Sequence, residues 1–204
     1  MKITDIKQQV KKQTRYSIFV DGKFSFGLGE SELMRSKIRV GQELSTKELE
    51  QLKSKAEVDM AYNNCLGLIA RRKRSKWEIE QYLKRKRLDL EISDLVLGRL
   101  EDSKWINDQE FARSWVSNRR LLKSTSRRRL SQELRAKRVD DSIITLVLEE
   151  DETDDQQVLI DLVAKKRTQS RYQDSQKLMA YLMRQGYNYA DVKQAMAEVG
   201  EDNS

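Results

Sequence analysis

Polar and apolar residues alternate in two short runs near the N-terminus, at positions 16–20 and 23–28. A period of two predicts β-strands, because successive side chains in a strand point to opposite faces of the sheet. Asp21-Gly22 lies between the runs and predicts a tight hairpin, since both central residues of a type I′ turn need a positive φ. Residues 3–10 are expected to add a third strand.

The remainder of the first 55 residues predicts short helical and turn segments. Ser31–Ser36 is predicted to be a short helix, and Val40–Leu44 a turn or short strand. Ser45 and Glu48 have the spacing of a capping box, which satisfies two backbone N–H groups at the start of a helix. We therefore expect a small β-hairpin module that leads into a helix.

From residue 56 onward the apolar positions follow the spacing of amphipathic helices. One pattern occurs three times, with similar segments at 82–97, 133–148 and 181–196. In each copy, two apolar residues four positions apart mark a middle helix. These pairs, 51 and 48 residues apart, are Ile79 and Leu83, Leu130 and Leu134, and Leu178 and Leu182. The period predicts stacked helical repeats, because a short helix cannot bury its apolar face alone.

The predicted fold is mainly α: an elongated tandem array of three three-helix repeats, preceded by a small N-terminal β-hairpin-containing module. Ser75 and Asp108 are placed to cap two of the helices. The predicted parts are 1–55 for the N-terminal module and linking helix, 56–107, 108–152 and 153–200 for the three repeats, and 201–204 for a frayed tail.

Composition restricts the possible chemistry. Hydrophobic residues make up 38% of the 204 positions, charged residues make up 36%, and proline is absent. Histidine is also absent and Cys65 is the single cysteine, which excludes an intrachain disulfide and the usual His/Cys zinc sites. Neither a nucleophile–histidine arrangement nor a phosphate-binding glycine loop is present, although converging acids of a metal-dependent nuclease would not show in sequence. We expect no catalytic residues, metal or cofactor, and we place Cys65 in the core.

The formal net charge is +7, and the excess is concentrated in two patches at matching points of the repeat. Residues 71–87 hold nine basic and two acidic residues, and residues 119–138 hold nine and one. A cation near a helix C-terminus stabilises the helix by only about 0.3–1 kcal/mol. This small effect does not explain a run of four consecutive cations. The patches are either ordinary solvated helix faces or binding surfaces for an anionic partner. The candidate binding residues are Arg71, Arg72, Lys73, Arg74, Lys84, Arg85, Lys86, Arg87, Arg119, Arg120, Lys123, Arg127, Arg128, Arg129, Arg135, Lys137 and Arg138.

An acidic segment at residues 149–155 separates the second and third repeats, with six acidic side chains in seven positions. The simplest interpretation is a solvated linker that places negative charge at the start of the next helix, where the helix dipole favours it. A less favoured alternative has the segment bend back onto the basic patches as an electrostatic brake.

The chain has three tryptophans, and aromatic rings can stack on unpaired bases. Trp77 flanks a basic run and is the best candidate for such a role. Trp105 and Trp115 are interpreted as core residues, and packing is the commoner role for all three.

Four segments share a pattern with known proteins: RRKRSKWEI at 71–79, WINDQEFA at 105–112, LSQELRAK at 130–137 and GYNYADV at 186–192. Together they resemble the RecX family, the bacterial regulators of the RecA recombinase. Each segment alone is weak, but four in the right order on a threefold repeat make a specific match. The resemblance covers about residues 56–198, and the N-terminal hairpin is similar to an extension that some members carry.

The chain departs from the family pattern at two turns. The family often has glycine after the lysine that ends the second helix of a repeat. In this chain the equivalent positions are Arg87 in the first repeat, Arg138 in the second and Gly186 in the third, so only the third has the glycine. Because a non-glycine residue in a left-handed cap is disfavoured by about 1 kcal/mol, the two arginine turns are predicted to have a different geometry.

The resemblance implies a function that the residues alone do not. It implies a regulator, not an enzyme, that lies in the groove of the RecA–DNA filament and lowers recombination, ATPase activity and the co-protease signal of the SOS response. With no signal peptide and no membrane-length apolar run, we expect a cytoplasmic monomer whose partner is the RecA nucleoprotein filament, with single- or double-stranded DNA as a further candidate. The alternative is a helical DNA- or RNA-binding protein that does not act through RecA.

Overall fold

The structure is a computed structural model that describes the backbone of residues 1–201 and the side chains of residues 1–200. It separates into two compact units, Met1–Ile106 and a second unit that begins at Asn107. The described part is mainly helical, with one small antiparallel sheet at the N-terminus, as predicted. Positions 202–204 of the predicted tail lie outside the described residues.

The N-terminal sheet contains three antiparallel strands in chain order. They are β1 (Ile3–Gln8), β2 (Arg15–Val20) and β3 (Lys23–Gly29). The predicted hairpin is confirmed, because Asp21 and Gly22 have φ values of 48° and 78°, as a type I′ turn requires. Each strand contributes a fully buried side chain to the core of this module: Ile3, Ile18 and Leu28.

Two helices follow the sheet, α1 (Glu30–Ser36) and α2 (Thr46–Ile69). The predicted capping box begins α2, with both hydrogen bonds between Ser45 and Glu48 present. Buried Asp59 of α2 accepts a hydrogen bond of 3.1 Å from the Gly29 N–H and so ties the helix to β3. A Cβ at Gly29 would lie 2.6 Å from that carboxylate, which explains the glycine.

Each repeat contains three helices around its own hydrophobic cluster. The first repeat consists of the second half of α2 with α3 (Lys76–Arg85) and α4 (Leu90–Asp102). The second repeat consists of α5 (Asp108–Leu122), α6 (Arg127–Ala136) and α7 (Asp141–Glu149). The third repeat consists of α8 (Asp155–Arg167), a 3-10 turn (Ser170–Tyr172), α9 (Ser175–Arg184) and α10 (Tyr189–Glu201). All six predicted middle-helix residues are 0% exposed, namely Ile79, Leu83, Leu130, Leu134, Leu178 and Leu182. Cys65 is also fully buried, as predicted.

The prediction of a different turn geometry at the two arginines is wrong. Arg87 and Arg138 both have a φ of 57°, in the same left-handed region as Gly186 at 96°. At the second turn, the Val139 N–H closes back onto the Leu134 carbonyl at 3.2 Å, and Val139 is buried. Because burial of the next apolar residue holds the turn, the arginine adopts the glycine-like conformation despite its Cβ.

Two predictions at helix boundaries differ from the structure. Ser75 caps α3 as predicted, but Asn107, and not Asp108, caps α5 by accepting from the Glu110 N–H at 3.0 Å. Trp105 is 54% exposed, so its interpretation as core is wrong. Its neighbour Ile106 is 5% exposed and takes the buried position, which leaves the indole on the solvent side of the turn.

Candidate partner-binding surfaces

The first basic cluster comprises Arg71–Arg74 and Lys84–Arg87, and it lies in the first unit at the two ends of α3. Seven of its eight side chains are exposed, and Arg74 is half-buried. Arg72 donates two hydrogen bonds, of 2.8 and 2.9 Å, to the Glu78 carboxylate, which raises the pKa of Arg72. Most of the positive charge in this cluster therefore reaches solvent.

Arg74 is the most crowded cation of the first basic cluster. Its Nε–H is buried without a hydrogen-bond partner among the described residues. Burial lowers the pKa of Arg74, and repulsion from Arg72, Arg71 and Arg85 lowers it further, against the attraction of Glu78. A bound anion beside these arginines would offset their mutual repulsion, whereas the buried Nε–H is closed to solvent and out of its reach.

The second basic cluster comprises Arg119, Arg120, Lys123, Arg127, Arg128, Arg129, Arg135, Lys137 and Arg138, and it lies in the second unit. Arg120 differs from the others because its side chain is only 10% exposed. Its guanidinium donates hydrogen bonds of 2.7 Å to Asp151, to Asp155 and to the Thr125 carbonyl. Arg120 therefore joins the second and third repeats, and we remove it from the candidate binding surface.

Two further arginines of this cluster also contact the third repeat or the segment before it. The Arg127 backbone N–H donates to Asp155 at 2.7 Å, and its side chain donates to the Asp151 carbonyl at 2.8 Å. The Arg129 guanidinium donates to the Arg184 carbonyl. Their charges are partly exposed, but replacing these side chains would also disturb the contact between repeats.

Gly186 lies at the same contact and shows how closely the two repeats approach. A Cβ at this position would lie 2.4 Å from Ser126 Oγ and 2.8 Å from the Arg129 Cβ, and its φ of 96° already favours glycine. The Ser126 hydroxyl donates to the Gln185 carbonyl at 3.0 Å. The left-handed turn of the third repeat is thus packed against the start of α6.

The acidic segment at residues 149–155 contacts the second basic cluster through Asp151 and Asp155, while Glu149, Glu150, Glu152 and Asp154 are exposed, as expected of a solvated linker. Glu150 accepts two hydrogen bonds of 2.8 Å from Arg113. Asp151 is 10% exposed and accepts from Arg120. The less favoured alternative describes only the contacts of Asp151 and Asp155, and a role as a brake stays a prediction.

The electrostatics of the segment follow from these contacts. Burial alone would raise the pKa of Asp151, but hydrogen bonds from Thr153 and Arg120 outweigh it and hold the pKa below its ordinary value. Burial lowers the pKa of Arg120 less than its two carboxylate partners raise it. The predicted negative charge at the next helix start is confirmed, since Asp154 caps α8 with its side chain.

Trp115 lies on the second unit with two cations against its indole ring. The ring packs on Phe111, and its Nε1–H donates to Glu133 at 2.9 Å. Arg119 lies 4.5 Å from the ring centroid and also donates to Glu133, at 2.6 Å, while the Lys137 ammonium lies 5.4 Å from the centroid. The indole is therefore partly core, as predicted, and partly a support that orients two cations.

Other cations of the second basic cluster are presented to solvent. Lys123, Arg128 and Arg138 are exposed, and none of them has an acidic partner within ion-pair distance in the part of the chain that the structure describes. Arg135 forms an exposed pair with Asp141 at 2.7 Å. These residues are accessible cations of the second unit.

No helix among residues 1–201 has both the length and the hydrophobicity that a membrane crossing needs.

Four family models match successive parts of the chain. They are the RecX N-terminal domain at residues 1–45 and the first, second and third RecX three-helix domains at residues 61–100, 107–148 and 152–196. The regulatory protein RecX of Bacillus subtilis (strain 168) is 31% identical over 206 residues, which cover 98% of this chain and 78% of that protein. The chain belongs to the RecX family. A second RecX, from Listeria monocytogenes serotype 4a (strain HCC23), is 30% identical over 204 residues.

Two crystal structures share the RecX fold. One regulatory protein RecX superposes with a TM-score of 0.69 at 25% identity and covers 95% of this chain and 98% of its own. RecX from Lactobacillus salivarius superposes with a TM-score of 0.59 at 21% identity, over 71% of this chain and 97% of that one, and supports the fold alone. The first of these matches covers nearly the whole chain, whereas the second covers about seven tenths of it.

Sequence reasoning about this RecX chain missed the internal use of Arg120. Its partners, Asp151 and Asp155, are 31 and 35 residues away, so no local spacing shows the contact. The only indication in the sequence was the opposite charge of the acidic segment and the second basic cluster. That opposite charge is the basis of the alternative in which the acidic segment bends back. The sequence did not indicate which of the nine cations of the second basic cluster the acidic segment would contact.

Proposed function

We propose that the chain binds the RecA–DNA filament and lowers its recombination, ATPase and co-protease activities, as a non-catalytic regulator in DNA repair and the SOS response. Membership of the RecX family supports a regulatory role. We also propose a cytoplasmic monomer with boundaries at residues 1–55, 56–107, 108–152 and 153–200. A series of repeats suits a filament, because its contacts can be spread along many protomers.

The observation that carries this proposal is the crowding at Arg74. The repulsion from the neighbouring Arg72, Arg71 and Arg85 is unfavourable in the free protein and is relieved by an anion. A nucleoprotein filament offers phosphates and carboxylates in a regular array. Guanidinium groups bind both kinds of anion with paired hydrogen bonds and stay charged at any physiological pH.

The proposed function is tested by RecA ATPase activity on single-stranded DNA with this protein added well below one molecule per RecA. Strong inhibition at such ratios is expected, because one bound molecule that blocks an end or a groove affects many protomers. Unchanged ATPase activity at equimolar protein would contradict the proposal. A light-scattering record of filament length in the same reaction separates disassembly from a direct effect on hydrolysis.

A second candidate function is direct binding to DNA or RNA without RecA. The exposed cations Lys123, Arg128 and Arg138, which lack ion-pair partners among the described residues, favour this candidate. Binding through phosphates weakens steeply with salt, since each neutralised phosphate releases condensed counterions. Tight, strongly salt-dependent binding to bare DNA together with no effect on RecA would select this function over the first.

A further inference from the structure

A groove of about 660 Å³ lies on the first unit and includes no residue of the first basic cluster. It runs along α2 and α4, and Glu32 of α1 also lines it. Its apolar lining includes Val58 and Leu95, and Leu95 is 53% exposed. A leucine at such exposure beside a concave surface leaves apolar area that a partner can cover.

Gly98 lines this groove from the middle of α4, where glycine weakens a helix relative to alanine. The packing of the chain does not explain the glycine. A Cβ built at this position meets nothing within 4 Å, and its φ is not in the left-handed region. A glycine that its own fold does not need, open to a groove, is the arrangement that lets another backbone approach closely.

The charge of the groove is opposite to the charge of the chain. Glu91, Asp94 and Asp102 line it and are exposed, and none of the three has an ion-pair partner in the described part of the chain. The two lining cations are Lys55 and Arg99, and the Arg99 guanidinium lies 3.9 Å from the Tyr62 ring centroid. With Glu32 as the fourth lining carboxylate, the groove is acidic on a protein of net charge +7, so it disfavours nucleic acid.

We propose that this groove is a second RecA-binding surface, which receives a RecA segment carrying apolar side chains flanked by lysine or arginine. The apolar side chains cover Val58 and Leu95, and the cations pair with the carboxylates of α4. The segment passes over Gly98, where a side chain would hold it away. The inference rests on the proposed function, which names RecA as the partner.

Gly98→Gln tests the groove, with Gly67→Gln as a matched control. Gly67 lies in the last turn of α2, also with nothing within 4 Å of an added Cβ, but it does not line the groove. Glutamine is a good helix former, so each substitution should raise the melting temperature by about 2–4 °C. We expect Gly98→Gln to weaken binding to RecA filaments about tenfold or more, by filling the groove, and Gly67→Gln to leave it unchanged.

Charge neutralisation gives an independent measurement. The double variant Glu91→Gln/Asp94→Asn should weaken filament binding and reduce its salt dependence, whereas Glu149→Gln, which removes an exposed carboxylate of the second unit, should not. Binding to bare single-stranded DNA should not weaken in any variant, because the groove does not contact phosphates.

Binding is measured by titrating dye-labelled protein with RecA filaments, and the outcomes separate the two proposals. Wild-type protein that does not bind RecA contradicts the proposed function and the occupant inferred here. Wild-type binding that Gly98→Gln and the double neutralisation both leave intact contradicts only the groove. The proposed groove is supported if Gly98→Gln raises the melting temperature and weakens filament binding, while Gly67→Gln raises the melting temperature without changing binding.

Discussion

Replacing Arg120 by methionine should weaken the contact between the second and third repeats and lower the unfolding free energy. Methionine keeps much of the length of the side chain and removes the guanidinium. The change deletes hydrogen bonds of 2.7 Å to Asp151, Asp155 and the Thr125 carbonyl. Asp151, with its side chain 10% exposed, is left buried without its cation.

The magnitude follows from how much of this pair is buried. Removing one partner of a buried ion pair costs about 3–5 kcal/mol, because the remaining charge is uncompensated. Asp155 is 33% exposed and can regain water, so we expect the lower end, about 3 kcal/mol of unfolding free energy. At urea slopes of about 1–3 kcal/mol per molar, the unfolding midpoint falls by roughly 1–3 M.

Urea denaturation followed by circular dichroism measures this loss, with Arg113→Met as the control. Arg113 forms an equally short pair with Glu150, but both side chains are more than 40% exposed, so its loss should hardly move the midpoint. Arg120→Met/Asp151→Leu should recover part of the stability, since it removes both members of the pair. The reasoning is refuted if Arg120→Met shifts the midpoint no more than Arg113→Met does.

Three other predictions follow from single residues. Arg138→Gly should raise the unfolding free energy by about 0.5–1 kcal/mol, because it relieves a left-handed arginine at a φ of 57°, and a lower midpoint in urea would contradict this. Stability should fall as the pH drops below about 4, because the pKa of folded Asp151 lies below its ordinary 3.8 and the unfolded chain takes up the proton first. This acid loss, measured by urea titrations at several pH values, should be smaller in Arg120→Met. Burial raises the pKa of the Cys65 thiol to about 11, so a thiol reagent at pH 8 should react with it only after unfolding.

The helical repeats can be predicted from the sequence because the residues that the apolar periodicity places on one helix face are the residues buried in the core. Ile79 and Leu83, like their counterparts in the other repeats, stand four apart on one helix face, and all six are fully buried. The hairpin is readable for the same reason, since Asp21-Gly22 can adopt the required φ angles without help from distant residues. In both features the local sequence pattern and the tertiary packing favour the same structure.

Features that depend on distant or competing contacts are not readable in this way. Arg138 adopts a left-handed turn against its own preference because Val139 is buried in the core. Trp105 is exposed because Ile106 takes the buried position, although the indole is the larger apolar group. For the candidate surface, sequence identified two cationic clusters but not the internal partners of Arg120.

We propose that the crowded arginines near Arg74 contact the RecA filament. The most direct measurement compares wild-type protein with Arg71→Ala/Arg74→Ala/Arg85→Ala in RecA ATPase inhibition on single-stranded DNA. A control variant removes three cations outside both basic clusters, at Arg113, Arg171 and Lys193. Equal net charge in the two variants separates a local contact from general electrostatic attraction.

We predict that the cluster variant keeps its helical circular dichroism and loses most of its inhibition, while the control variant inhibits RecA nearly as well as wild type. Inhibition by the cluster variant at the wild-type concentration would contradict the account, because the crowded cations would then have no part in binding. Equal loss in both variants would contradict it as well, since charge and not position would explain the effect.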